Sequence, residues 1–479
     1  MQCIAVIGGG AAGASVVGEF LRHARDLEVV WLIGHHAEPG RGVAYATQNG
    51  AHLLNVRAAN MGLFADDPGG FYRYLERRGI TALPSDFVPR AWFGDYIQDT
   101  LDDLMTSAPA SVRVRIVSKE VTAMEQRPLG YLIRCDDDAL VMVDGVVLAV
   151  GALPPVPIAQ VEAAAIKDGN YWPDPWHAVL PDSSPQRVVV LGSGLTAVDV
   201  ILSAAEAWPD AQLVALSRHG RLPSVHSKMP SVSCGQLQGL IDALRAKPSV
   251  RAWTRLVREA ISEDCEGWRS LVDGLRPVAV ELWRSLDATQ RRRFLRHLRW
   301  AWEVVRHRMP PQTADAIDSL RAAGRLEIVA GRVRHVGADR KIVYRQRDDG
   351  TVKTVTADLV IQATGLQTAA ARTRHRLVQQ MLDIGLAKVD AHGLGIEADI
   401  HGRVVAADGS TSTNLRVIGT LLRGALWECS ALPEIRMFAA RLARELLADI
   451  LSRNATDDAV PARKEPQRRA SGRPTMQAR

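Results

Sequence analysis

The residues best placed to do chemistry are two short runs of glycine. Gly8-Gly9-Gly10-Ala11-Ala12-Gly13 directly follows the apolar run Cys3-Ile4-Ala5-Val6-Ile7 and precedes a helical pattern reaching about His23. This is GxGxxG between a strand and a helix. Gly8 permits the tight turn, Gly10 lets the backbone approach a pyrophosphate, and Gly13 allows close helix–strand packing, with Ala12 in the same first turn of the helix. The pattern recurs in mid-chain. Arg187-Val188-Val189-Val190-Leu191 leads into Gly192-Ser193-Gly194-Leu195-Thr196-Ala197, which is GxGxxA. Each run predicts a dinucleotide cradle whose helix N-terminus faces phosphates.

The residues that end the following strand say which nucleotide each cradle takes. An acid there usually accepts hydrogen bonds from ribose hydroxyls. After the first turn the strand is Glu28-Val29-Val30-Trp31-Leu32-Ile33, and Gly34 stands where the acid is expected. Ribose binding must then come from elsewhere, with His35 and Glu38 as candidates, or be weaker. After the second turn the strand Gln212–Leu216 ends in Ser217-Arg218-His219-Gly220-Arg221. Without a carboxylate to repel it, a 2′-phosphate could be met by Ser217 and Arg218, which predicts NADPH over NADH.

These cradles need a scaffold, and the chain is long enough for one. Its 479 residues allow two or three domains, and 47% are hydrophobic. No run of about 18 uncharged apolar residues predicts a membrane span, and the N-terminus reads as a first strand, so a cytoplasmic enzyme is expected. The cysteines Cys3, Cys135, Cys234, Cys265 and Cys429 form no CxxC and predict no zinc site and no local redox disulfide. The net charge of +6 owes much to residues 453–479, where seven Lys/Arg stand against three Asp/Glu. That segment reads as a disordered, solvated tail rather than a nucleic-acid arm.

The pattern of elements predicts an α/β fold with two Rossmann-like dinucleotide-binding domains and a helical insertion. The first domain takes residues 1–185 and 360–452. The second takes 186–235 and 326–359, with a hairpin near Asp348-Asp349-Gly350. The helical insertion covers 236–325. Buried strands ending in Gly151 and Gly365 mark where the chain leaves a domain beside a nucleotide. A third such strand, Arg416 to Thr420, precedes Arg423 to Glu428 and a helix over about Pro433 to Leu451.

This order resembles the bacterial FAD- and NAD(P)-binding flavoproteins related to class B flavin monooxygenases and to lysine, ornithine and aspartate N-hydroxylases. The resemblance rests on Gly40-Arg41-Gly42-Val43-Ala44-Tyr45, His52-Leu53-Leu54-Asn55-Val56, Met61, Phe71 to Leu75, and Pro89-Arg90 to Tyr96. It continues through Asp174-Pro175-Trp176, Gly192 to Asp199, Ser217 to Gly220, Arg306-His307-Arg308-Met309, Trp427-Glu428 and Pro433 to Arg436, covering the chain to about residue 450. The resemblance implies FAD in the first cradle and NADPH in the second. It implies hydride transfer to flavin, capture of O2 as a C4a-hydroperoxide, and oxygen transfer to a soft nucleophile, with N-hydroxylation of a small amino-acid-like or anionic substrate expected. The flavin would carry the chemistry, and the protein position and electrostatics. Asn55 and Met61 map to the loop expected at the flavin ring, Asn55 as a hydrogen-bond partner, and Trp427 to the C-terminal turn facing it.

From the residues alone, Arg41 and Gly42 read equally as a phosphate contact or as a surface glycine loop. Between 291 and 308 lie seven arginines and one acid, Glu303, while Phe294, Leu298, Trp302 and Val305 recur at helical spacing. A helix with a solvated basic face and a substrate lid using Arg306 or Arg308 both fit. His226 and His307 could serve as bases or be structural. Two further functions stay open: an NADPH:flavin oxidoreductase or oxidase without oxygen transfer, and a non-enzymatic dinucleotide-binding protein, which Gly34 keeps in view.

Overall fold

In the computed structural model, residues 1–35, 37–177, 184–227, 237–263 and 267–457 are described. Two parallel-centred sheets carry the two glycine turns. The first has six strands in the spatial order Arg403–Val405, Thr411–Val417, Gly145–Leu148, Gln2–Ile7, Leu27–Leu32, Val112–Val117. Successive residues of Gln2–Ile7 face opposite sides. Ile4 and Val6 enter one apolar cluster with the helices Ala11–His23 and Arg90–Ser107 and the C-terminal helix, while Ala5 and Ile7 enter another. Both faces are covered, which is why these strands read as unbroken apolar runs. An antiparallel three-stranded sheet, Val121–Arg127, Gly130–Cys135 and Leu140–Val143, packs on the second face.

The second sheet has seven strands in the order Val352–Thr356, Lys341–Gln346, Leu326–Val336, Gln212–Ser217, Arg187–Leu191, Leu359–Gln362, Tyr171–Trp172. Val188 and Val190 again face one cluster and Val189 and Leu191 the other. The expected hairpin is present, Lys341–Gln346 pairing antiparallel with Val352–Thr356. Two boundaries shift. Tyr171–Trp172 pairs in parallel with Leu359–Gln362, which itself pairs with Arg187–Leu191, so both strands belong to the second sheet. Neighbouring prolines make the first look like linker, and a strand of two residues leaves no alternation to read.

Helices fill the insertion from Leu237 to Ala322. The arginine-rich stretch is two helices, Ala288–His297 and Arg299–Arg306, parted where Leu298 opens to φ −112°. The final helix is Leu432–Asp457, reaching past residue 452, where the sequence placed the start of a disordered tail. The rest of that tail, Cys234 and Cys265 lie outside the described residues. Cys3, Cys135 and Cys429 are free thiols, and burial pushes Cys429 up to about 12. Among the described residues no helix is long and apolar enough to cross a membrane.

Candidate functional site

The two turns are built alike. Gly8 has φ +124° and Gly192 φ +136°, conformations that L side chains rarely adopt. A Cβ on Gly8 would run into the carbonyl oxygen of Ala149, and one on Gly192 into that of Ala363. Each first glycine is thus pressed against the end of the next strand of its sheet. Two residues beyond those carbonyls stand Gly151 (φ +70°) and Gly365 (φ +92°), and a Cβ on either would meet nothing within 4 Å. The helices start at Ala11 and Leu195 after Gly10 and Gly194, both extended, with no side-chain cap and no acid in the first turn. Their first N–H groups, Ala12 and Thr196 among them, are left for an anion. The residues present therefore fit two dinucleotides.

At the first turn, Gly13 is required because a Cβ there would strike the carbonyl oxygen of Gly8. Trp31, on the neighbouring strand, donates its indole N–H to that same oxygen at 3.0 Å. The Gly40–Gly42 loop closes over the turn: Gly40 N–H donates to Gly9 at 2.8 Å, and a Cβ on Gly42 would come within 2.9 Å of the Gly10 α-carbon. Gly42 therefore serves close backbone approach. Arg41 is buried and engaged by Asp95, by Gln98 at 2.9 Å and by Glu38 at 2.6 Å. It holds the loop to the helix Arg90–Ser107. Gly419 returns from the C-terminal strand to lie beside Ala12.

At the second turn, Ser217 acts as an acceptor. Its Oγ accepts from Ser193 Oγ at 2.8 Å and from Gly220 N–H at 3.0 Å, which shapes the strand end. Arg218 and Arg221 are exposed. Arg347, from the hairpin edge, reaches the same place, 2.6 Å from His219 Nδ1. Burial, and then the cations Arg347 and Arg218, hold the His219 pKa below its usual value. Trp300 of the insertion stacks on the His219 ring at 4.2 Å and 14°. The sequence shows Arg218 but hides Arg347 and Trp300, which converge only through sheet pairing and the insertion's packing.

Between the two sheets lies a seam. Asn55 offers its carbonyl to His226 Nε2 at 3.0 Å, and Arg57 donates to the Ser227 carbonyl at 2.7 Å. His226 leans on Phe87 at 4.8 Å, and burial, followed by Arg308, lowers its pKa to about 4. Further along, Arg90 Nη1 meets Asp199 Oδ2 at 2.8 Å, with both side chains largely buried, and His52 Nε2 reaches Ser203 Oγ at 2.8 Å. Met61 is a core side chain, 1% exposed.

In the arginine-rich stretch Arg299, Arg306 and Arg308 are paired with carboxylates, whereas no ion pair involves Arg291, Arg292, Arg293 or Arg296 among the described residues. Arg306 is buried with Glu428 and Glu434 each at 3.4 Å, so its guanidinium is taken up by protein carboxylates. Arg308 is paired with Asp273 and is 3% exposed. Glu303 accepts from Arg299 at 3.0 Å and Arg423 at 2.7 Å. His307 beside them has its pKa lowered, by burial first and then by Arg306. Trp427 is enclosed by Trp283 at 5.0 Å and Phe294 at 5.1 Å, and its buried indole N–H has no partner. Among the described residues no group of three His, Cys, Asp or Glu could hold a metal ion.

Comparison with known proteins places this geometry. Residues 5–153 match the family model NAD_binding_9, described as FAD-NAD(P)-binding. No curated protein matches the chain. Solved structures of the same fold include the ornithine N-hydroxylase of Kutzneria sp. 744, described with reduced FAD, NADP+ and L-ornithine. It shows 17% identity and a TM-score of 0.64, covering 94% of this chain and 99% of that one. The L-lysine 6-monooxygenase of Pseudomonas syringae shows 17% identity and a TM-score of 0.64, covering 94% and 100%. The bacillithiol disulfide reductase of Staphylococcus aureus shows 13% identity and a TM-score of 0.55, covering 94% and 99%. The chain has the α/β, doubly Rossmann-like flavoprotein fold that these proteins share.

Proposed function

We propose that this chain is an NADPH-dependent FAD monooxygenase that oxygenates, most simply by N-hydroxylation, a small amino-acid-like or anionic substrate. The observation that carries it is the pair of like-built cradles in one chain, the second flanked by Arg218, Arg347 and His219. The fold it shares with an ornithine N-hydroxylase and a lysine monooxygenase supports the choice of reaction. FAD would sit on Gly8, Gly10, Ala12, Gly13, Gly42 and Gly151. NADPH would sit on Gly192, Gly194, Leu195, Thr196 and Gly365, with its 2′-phosphate met by Ser217, Arg218 and Arg347. Bound flavin, reduced by the nicotinamide, would supply oxygen activation and transfer.

The chain's own residues set the surroundings of that chemistry. Asn55 would offer its side-chain amide as a hydrogen-bond partner to the bound nucleotide, its backbone carbonyl being held by His226. Burial, and then Arg306, favour the neutral form of His307, the candidate acceptor for a proton from a substrate ammonium group. Arg306 acts as a positioning residue, holding Glu428, which acts on His307, and Glu434. Trp427 walls the site against water with Trp283 and Phe294.

The test is NADPH-dependent O2 uptake over a panel of amino acids and diamines, read together with peroxide release and a hydroxylamine assay. Hydroxylamine formed in step with NADPH oxidation supports the proposal. Stoichiometric peroxide with every substrate overturns it in favour of an oxidase. A second reading, reduction of a substrate without oxygen transfer, is favoured by the shared fold with a disulfide reductase. The described cysteines Cys3, Cys135 and Cys429 are free and form no dithiol pair for it.

A further inference from the structure

The first cradle lacks the strand-end acid, and the structure brings another carboxylate to the same spot. Gly34 follows the strand Leu27–Leu32 at the carboxyl edge of the first sheet and has φ +78°. The next strand of that sheet, Val112–Val117, runs parallel with Leu32 opposite Val117, and Ile33 N–H donates to the Val117 carbonyl at 3.1 Å. Three residues beyond Val117 comes Glu120. A Cβ on Gly34 would lie 3.0 Å from Glu120 Oε1 and 3.6 Å from its Cδ. The carboxylate thus occupies the volume into which a side chain at position 34 would project. A side chain at 34 would crowd that carboxylate, and the positive φ itself favours glycine there.

The other candidates at this edge are engaged. His35 Nε2 is 2.5 Å from Asp136 Oδ2, Glu38 is 2.6 Å from Arg41, and Asp137 is paired with Lys119. Glu120 is anchored by its backbone, its carbonyl accepting from Asp136 N–H at 2.9 Å. Its side chain is exposed, and no hydrogen bond or ion pair to it occurs among the described residues. A solvent-facing carboxylate at the ribose end of a dinucleotide cradle is suited to accept from a vicinal diol.

We infer that Glu120 receives the adenosine ribose hydroxyls of the nucleotide in the first turn, taking from the third strand the role that an acid at the end of the second would have. The inference rests on reading that turn as an FAD site and names a residue that sets its affinity. A carboxylate entering from this side holds the same hydroxyls without any contribution from position 34.

The test titrates the flavin-free full chain with FAD and with an analogue whose adenosine is 2′,3′-dideoxy, following flavin fluorescence, for wild type, Glu120→Gln and Glu120→Ala. Hydrogen bonds to a charged partner predict that Glu120→Ala weakens FAD binding about 10- to 100-fold. Glu120→Gln should fall between. The analogue should bind wild type and Glu120→Ala alike, and NADPH affinity and thermal melting should hold. Equal FAD affinity in wild type and Glu120→Ala overturns the inference, as does an equal loss for FAD and the analogue, which would mark a structural role. Wild-type protein that binds neither flavin overturns the FAD reading itself, and the inference with it.

Discussion

The two glycine turns share a backbone and differ in what faces them. Gly42 faces Gly10, where a Cβ on Gly42 would come within 2.9 Å of the Gly10 α-carbon, whereas a Cβ on Gly194 would meet nothing within 4 Å among the described residues. Among the described residues, the first cradle is roofed by the Gly40–Gly42 loop and the second is open at Gly194. A nucleotide under the roof is shielded on two sides and suited to stay, as a flavin must through many turnovers. One in the open cradle can leave after each hydride transfer. The strand ends differ as well: glycine and a borrowed carboxylate at the first, a cluster of cations at the second. The same turn geometry thus becomes a site for a resident or for a visiting nucleotide through its neighbours.

The comparison can be broken first at the glycines themselves. Gly8→Ala and Gly192→Ala each place a Cβ against a backbone carbonyl at positive φ, a strain of about 1–3 kcal/mol. That predicts about 10- to 100-fold weaker binding of the nucleotide concerned. Gly8→Ala should be purified with little flavin absorbance, while Gly192→Ala should keep its flavin and raise the NADPH Kd. Flavin loss from Gly192→Ala would show that the cradles are not independent.

Next in size is the cation cluster. Arg218→Ala and Arg347→Ala should each lower NADPH efficiency about tenfold and leave NADH nearly unchanged, since a charged hydrogen bond contributes about 1.5–3 kcal/mol before solvent exposure weakens it. Steady-state kinetics with both coenzymes reads this out. An equal loss with NADH would remove the 2′-phosphate from the account.

The last comparison concerns the seam. His226 is held neutral, its pKa lowered from 6.5 to about 4 by burial and by Arg308. The unfolded chain takes up this proton below about 6.5 and the folded chain only near 4. The stability due to neutral His226 is therefore present above 6.5 and lost as pH falls toward 4. Urea midpoints for wild type should decline through this window, and His226→Gln should flatten the decline slightly. A wild-type curve with the same slope as the variant's would count against the burial of His226.

What could be read in the sequence was local. Gly8 and Gly192 announce themselves because a strand, a positive-φ glycine and a helix start lie within a few residues of each other. Arg218 is visible for the same reason, at the end of the next strand. Glu120 is not, because its nearness to Gly34 depends on the pairing of the strands that carry them, and Arg347 arrives through an antiparallel hairpin from far along the chain. Arg306 illustrates a different limit: an arginine-rich stretch reads as a free basic face until folding supplies Glu428 and Glu434. Tyr171–Trp172 is too short to show any period.

Arg90 and Asp199 come from opposite halves of the molecule and meet in a largely dry setting. Pulling such a pair apart costs about 3–5 kcal/mol, because each partner is left as a stranded ion. A swinging motion that parted the halves at this point would have to meet that cost in every cycle. The protein is therefore expected to work as a clasped frame, its coenzyme and substrate entering along the rim while the distance between flavin and nicotinamide stays set.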